Sequence, residues 1–300
     1  MNAPLILAYP ENEALAASLA PHLKGIVASL QLHRFPDGET LAILPDVAGR
    51  DVLLLCSLDR PDSKLLPLLF AADAARDQGA RRVGLVAPYL SYMRQDRRFH
   101  PGEAITSRTF AVVLSRHVDF LVTVDPHLHR YHALDEIYAI PATAASSVAA
   151  IARWIHREVE NPVLIGPDEE SAQWVGALAA LEGLPYTVLN KVRHDDFLVE
   201  VSLPDAGQWS GRTPVLVDDI ISSAHTMIAA VRQLQQLGFV RPVCVGVHAI
   251  FAGTAYDELQ AAGAGRIVTC NCVRHPSNAI DVMPAVAASV REMLGAAWGA

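Results

Sequence analysis

The sequence predicts an α/β protein of two similar, doubly wound domains with mostly parallel sheets. Short β-rich apolar runs alternate with longer amphipathic runs, and this alternation restarts in the second half of the chain. One apolar run, Val215-Leu-Val, passes directly into Asp218 and Asp219, which places acids at the carboxyl edge of a sheet, where open α/β folds bind ligands.

Taken in order, the first half gives strands at Leu5 to Tyr9, Val52 to Ser57, Val83 to Pro88 and Phe120 to Asp125. The helices between them are Glu11 to Leu23, Asp62 to Gln78 and Ile105 to His117. The second half gives strands at Val163 to Gly166, Tyr186 to Asn190, Val215 to Asp218, Val243 to Ile250 and Arg266 to Thr269. Its helices are Ser171 to Glu182, Thr226 to Leu237 and Thr254 to Ala262. A boundary near 142 to 147 gives domains of residues 1–144 and 145–300, although no Pro/Gly-rich linker marks it.

Composition narrows the function class. A formal charge of −8 argues against a general nucleic-acid or membrane surface. Although 51% of the residues are apolar, no run approaches the ~20 needed to span a bilayer. Met1-Asn-Ala-Pro-Leu-Ile-Leu lacks the basic start and long apolar core of a signal peptide. Four cysteines make no disulfide framework; Cys56 and Cys244 sit in strand-like runs, and Cys270-Asn-Cys272 lacks a second ligand pair. The expected setting is the cytoplasm.

Beyond Asp218 and Asp219, Ser222, Ser223 and Thr226 offer hydroxyls and backbone N–H groups where a helix begins, a place that suits a phosphate. Acids for sugar hydroxyls beside a phosphate cradle suggest a ribose phosphate. A plain βα turn with Ser/Thr capping would use the same hydroxyls, but two acids in series after an apolar run are unusual there.

The 215–227 segment resembles the phosphoribosyl diphosphate (PRPP) signature of the type I phosphoribosyltransferase fold, two acids and two apolar residues followed by D/S-T-A/G-G-T. Other segments resemble ribose-phosphate diphosphokinase, the PRPP synthetase family. His33-Arg-Phe-Pro-Asp-Gly-Glu39 is similar to its F-x-D-G-E, and Pro88 to Arg98 to its P-Y-x-x-Y-x-R-Q-D-R-K. Glu103 to Arg108, Thr123 to His127, Gly166-Pro-Asp168 and Lys191-Val-Arg193 follow in the family order, so the resemblance covers nearly the whole chain. It implies two phosphoribosyltransferase-like domains and diphosphoryl transfer from Mg-ATP to ribose 5-phosphate, giving PRPP and AMP.

The resemblance also implies roles. Phe35, Asp37, Gly38 and Glu39 match the adenine-binding segment, which in many members reaches the site from a neighbouring subunit, so a homo-oligomer (a dimer or an assembly of dimers) is expected. Arg94 and Gln95 match ATP contacts within a donor-rich loop suited to phosphates. Asp218 and Asp219 would bind ribose hydroxyls, and Ser222, Ser223, Ala224, His225 and Thr226 would hold the 5-phosphate. Lys191 is the only lysine after Lys64; with Arg193, which also belongs to the ribose 5-phosphate set, it matches the K-x-R of a flexible catalytic loop.

His127, His129 and His132 after Asp125 invite a zinc-hydrolase reading, but no glutamate stands at H-E-x-x-H spacing. The resemblance instead makes His127 and Asp168 Mg²⁺-site residues, with ATP phosphates completing the shell, and assigns no role to His129 or His132. Two loops depart from the family. Pro167-Asp-Glu-Glu-Ser-Ala172 replaces P-D-x-G-G, and Ala224-His225 replaces A/G-G, so a divergent member is expected. The alternatives are a PRPP-dependent phosphoribosyltransferase and a catalytically silent, nucleotide-binding regulatory subunit. Retention of Lys191, Arg193, Arg94, Gln95 and His127 argues against silence.

Overall fold

The structure, a computed structural model, describes residues 3–128, 130–168, 171–195, 198–202 and 206–295. Contacts divide the chain into a first unit, Met1–Ser146 with Val282–Ala300, and a second, Ser147–Asp281.

The first unit contains β1 (Leu5–Ala8), α1 (Glu13–Leu23), β2 (Ile26–Ser29), the antiparallel hairpin β3 (Gln31–Arg34) and β4 (Thr40–Ile43), and β5 (Asp51–Leu55). It continues with α2 (Asp62–Asp77), β6 (Arg82–Ala87), α3 (Thr106–His117), β7 (Phe120–Val124) and β8 (Ala142–Ala145). Its main sheet has the order β2-β1-β5-β6-β7-β8, and every pair is parallel. The strands β1, β5 and β7 are buried at every position, which is why they read as unbroken apolar runs rather than alternating ones.

The second unit opens with α4 (Val148–Glu158), β9 (Pro162–Gly166), α5 (Ala172–Glu182), β10 (Tyr186–Val188), and the antiparallel pair β11 (Asn190–Asp195) and β12 (Leu198–Ser202). Next come β13 (Thr213–Ile221), α6 (His225–Gln236), β14 (Val243–Ala249), α7 (Ala255–Ala261), β15 (Arg266–Cys270) and β16 (Asn278–Ile280). The sheet order is β10-β9-β13-β14-β15-β16, again all parallel. The two sheets therefore repeat one winding: strand, helix, edge strand, antiparallel hairpin, then the remaining strands outward. The β3/β4 hairpin of the first unit and β11/β12 of the second occupy the same place in that repeat.

The last helix, α8 (Met283–Gly295), packs on α1, β7 and β8 and so belongs with the first unit. Arg82 donates to the Leu294 carbonyl at 3.0 Å, and Arg291 donates to the His22 carbonyl at 2.9 Å. The expected domain 145–300 had placed this helix with the second half. Its buried Met283, Val286, Ala287, Val290 and Met293 complete the core of the first unit instead.

Candidate active site

In the second unit, β13 is driven inside by Pro214 to Val217, all buried, and carries Asp218 and Asp219 half-buried near its carboxyl end. The strand runs three residues beyond the expected Asp218, to Ile221. The Asp219 N–H donates to the Asp218 carboxylate at 3.0 Å. Withdrawal from water, followed by the charges of Asp219 and Asp168, pushes the Asp218 carboxyl up to about 8. Asp168, just past the neighbouring strand β9, thus lies close enough for its charge to act on Asp218.

The turn that follows is fixed from below. Ala252 donates its N–H to the Ser222 carbonyl at 3.1 Å, and Ile250 donates to the Ile221 carbonyl at 3.1 Å. Ala224 adopts the left-handed conformation, φ 59°, and accepts the Ile228 N–H at 2.8 Å. Helix α6 begins at His225 with no side-chain cap on its first turn, so its leading N–H groups face the loop as a ready anion cradle. Ser223, His225 and Thr226 are exposed, Ser222 is half-buried and Ala224 is buried. The glycine-like residue is therefore Ala224. His225 has an ordinary helical place, which removes the steric need for glycine there.

Asp168 lies just beyond β9 in a turn closed by Ser171. The Ser171 hydroxyl donates to the Asp168 carbonyl at 2.5 Å, and the Ser171 N–H donates to the Asp168 carboxylate at 3.2 Å. Gly166 makes room: a Cβ there would collide with the Ser171 hydroxyl and approach Val188 to 3.2 Å. The sequence singled out the Gly166-Pro-Asp168 segment and the altered loop after it, but not the pairing of Gly166 with Ser171 across Asp168. Glu169 and Glu170 lie outside the described residues.

Lys191 and Arg193 fall on β11, paired in register with Val201 and Val199 of β12. The expected catalytic loop is thus one strand of the hairpin.

In the first unit, Phe35 to Glu39 form the tip of the β3/β4 hairpin. Phe35 donates its N–H to the Glu39 carbonyl at 2.8 Å, Gly38 donates back to the Phe35 carbonyl at 2.9 Å, and the Asp37 carboxylate accepts the Glu39 N–H at 3.2 Å. Gly38 takes φ 95°, where a side chain is disfavoured. Phe35 is 40% exposed, with His33 edge-on at 4.7 Å.

The basic loop after β6 is held by its own side chains. Gln95 donates its amide to Glu103 at 3.1 Å and to the Arg97 carbonyl at 3.2 Å, while Glu103 also accepts the Phe99 N–H at 2.8 Å. Buried Asp96 accepts Arg130 at 3.0 Å, and Arg97 stacks over Phe99 at 4.8 Å. Arg94 is exposed on this frame. Gln95, expected as an ATP contact, is engaged within the loop.

His127 is half-buried two residues beyond Asp125, whose N–H bonds to the Ala145 carbonyl at 3.1 Å. His132 is exposed, and His129 lies outside the described residues. Among the described residues, no group of three or more His, Cys, Asp and Glu side chains is arranged to hold a metal, which gives the zinc-hydrolase reading no support. Asp168, whose charge acts on Asp218, offers carboxylate oxygens of the kind a hard divalent cation takes when waters and substrate phosphates complete its shell, the habit of Mg²⁺.

Comparison with known proteins agrees with this organisation. Residues 5–117 match the N-terminal domain of ribose phosphate pyrophosphokinase, and residues 133–285 match a phosphoribosyl transferase domain. The chain is 34% identical over 294 residues to a ribose-phosphate pyrophosphokinase of Methanopyrus kandleri, covering 97% of this chain and all of that one. It is 33% identical over 255 residues to that of Sulfolobus acidocaldarius, covering 83% and 86% of the two chains. The fold matches the crystal structure of phosphoribosylpyrophosphate synthetase from Mycobacterium smegmatis, with a TM-score of 0.83 at 24% identity, covering 97% and 99%. The chain belongs to the ribose-phosphate pyrophosphokinase family.

Proposed function

We propose that the protein transfers the diphosphoryl group of ATP to O1 of ribose 5-phosphate, giving PRPP and AMP. The observation that carries this reading is the pairing of Asp218 and Asp219 with the uncapped start of α6 on one sheet edge. The acids accept ribose hydroxyls, and the Ser222 to Thr226 turn holds the 5-phosphate through backbone N–H groups and hydroxyls. O1 attacks the β-phosphorus, the bond from that phosphorus to the α,β-bridging oxygen breaks, AMP leaves with that oxygen, and the O1 proton passes to solvent. Little covalent work falls to side chains, so positioning and charge set the rate.

In the first unit, Phe35, Asp37, Gly38 and Glu39 would receive the adenine and Arg94 the phosphates. Gln95 would act through Glu103 to hold that loop or exchange this bond for the nucleotide. Lys191 and Arg193 would meet the charge that develops on the transferring group. Mg²⁺ bound with ATP would supply neutralisation of phosphate charge; His127 of the first unit and Asp168 of the second are each candidates to hold it.

The exposed apolar side chains of Ile26, Val27, Phe35, Leu41 and Ile43 favour a homo-oligomer, a dimer or an assembly of dimers, over a lone chain. The reading also places the enzyme in the cytoplasm; among the described residues no helix is long and apolar enough to cross a membrane.

The test is incubation with Mg-ATP and ribose 5-phosphate while AMP and PRPP are followed together. Equal production of both is expected. PRPP consumption with a nucleobase and without ATP would show a phosphoribosyltransferase, and nucleotide binding without turnover would show a regulatory subunit.

A further inference from the structure

We infer that Ser171, seated against Gly166, is the positioning residue that aims the Asp168 carboxylate at its cation. This inference rests on the reading of Asp168 as an Mg²⁺-site acid. Ser171 is buried and makes two different bonds to the same aspartate: its hydroxyl donates to the main-chain carbonyl at 2.5 Å and its N–H to the carboxylate at 3.2 Å. A third contact, from the Asp168 N–H to the hydroxyl at 3.5 Å, closes the turn more weakly. A Cβ on residue 166 would strike the hydroxyl, so the glycine and the serine interlock.

The repeat supplies an independent comparison. Asn12 precedes α1 as Ser171 precedes α5, and its N–H donates to the Tyr9 carbonyl three residues back at 2.9 Å, as the Ser171 N–H does to Asp168 at 3.3 Å. The Asn12 side chain, however, reaches across to the loop after β5 and accepts the Ser57 N–H at 2.8 Å. The first unit uses this position to tie two loops together, whereas the second turns it back on its own acid. The Asp168 charge acts on Asp218, and like charges repel, so bonds that fix the Asp168 carboxylate matter more here than at Asn12.

The test is Mn²⁺ binding to the full chain, read by electron paramagnetic resonance with α,β-methylene-ATP and ribose 5-phosphate present, alongside calorimetric melting. Ser171→Ala is expected to weaken Mn²⁺ binding roughly tenfold, the scale on which bonds that orient metal ligands act, with melting little changed. Gly166→Ala reaches the same hydroxyl from the other side, so it should weaken Mn²⁺ and also lower the melting temperature. The double variant should bind Mn²⁺ no more weakly than the worse single variant and melt above Gly166→Ala, because the colliding hydroxyl is gone. Unchanged Mn²⁺ affinity in Ser171→Ala, or additive losses in the double variant, would overturn the inference. Asp168→Asn separates the two levels. If it weakens Mn²⁺ binding while Ser171→Ala does not, only the positioning role fails; if it leaves binding intact, the metal role of Asp168 fails and the inference with it.

Discussion

Asp218 shows how one side chain can be costly to the fold and useful to the site. Its carboxyl is pushed up to about 8 by withdrawal from water and by the neighbouring Asp219 and Asp168 charges, against an unfolded value near ~3.9. The folded chain therefore binds this proton more tightly than the unfolded chain. The stabilising contribution is complete below about pH 4 and is lost as pH rises through about 8. In metal-free buffer, Asp218→Asn should melt close to the parent at mildly acid pH and above it at alkaline pH, where the parent must carry a third like charge. Scanning calorimetry across that range checks this, and a constant gap would mean that the carboxyl ionises without penalty. At the same scale, the sequence pointed to the acids but not to the residue that bends the turn. The motif draws the eye to His225, yet the left-handed conformation falls on Ala224, because where α6 begins decides which residue must bend and residue type does not reveal that start.

The strands buried on both faces were legible because nothing interrupts their apolar runs, whereas the two hairpins were not. β3, β4, β11 and β12 are two-stranded, and β3 and β4 are largely exposed, so their side chains follow neither period cleanly. That blind spot includes Lys191 and Arg193, expected on a loop and found on β11. A cation that meets charge only in the transition state contributes little to ground-state binding, so Lys191→Ala should lower kcat about a hundredfold or more with KM for both substrates within a few-fold. Steady-state kinetics decides, and near-normal kcat would remove the lysine from catalysis. The loop after β5 stands where the Ser222 to Thr226 turn stands after β13, and the Lys64 ammonium reaches into it, bonded to Asp59 at 2.6 Å and to the Ser57 carbonyl at 2.9 Å. Lys64→Met should cost roughly 2–3 kcal/mol, below the full penalty for a buried pair because Asp59 keeps some access to water. Chemical denaturation measures this cost; the KM for ribose 5-phosphate should stay unchanged, and a large rise would assign the Lys64 loop to substrate.

At the scale of the whole molecule, the repeated winding was visible as an alternation that restarts, but the path of the last helix was not. A chain divided at one boundary leaves α8 with the half that precedes it, and nothing in an amphipathic helix names the sheet it will cover. Only packing does so: Val286 and Val290 are fully buried, Arg291 reaches the His22 carbonyl at the end of α1, and Arg82 reaches the Leu294 carbonyl. Arg82 also shares the buried Asp51 carboxylate with Arg81, so one ion-paired cluster joins β5, β6 and α8. Each large apolar side chain of α8 that is exposed by its removal forfeits about 1.5–3 kcal/mol, and several together rival the whole stability of an ordinary domain, about 5–15 kcal/mol. A chain ending at residue 281 should therefore lose the first unit, while the second keeps its sheet and the core built around Leu216, Met227, Val231 and Leu234. Limited proteolysis with mass analysis of the products tests this directly. The expected outcome is rapid cleavage throughout residues 1–146 and a resistant fragment near 147–281. Survival of the N-terminal part with digestion of that fragment would return α8 to the second domain, as the sequence alone had placed it.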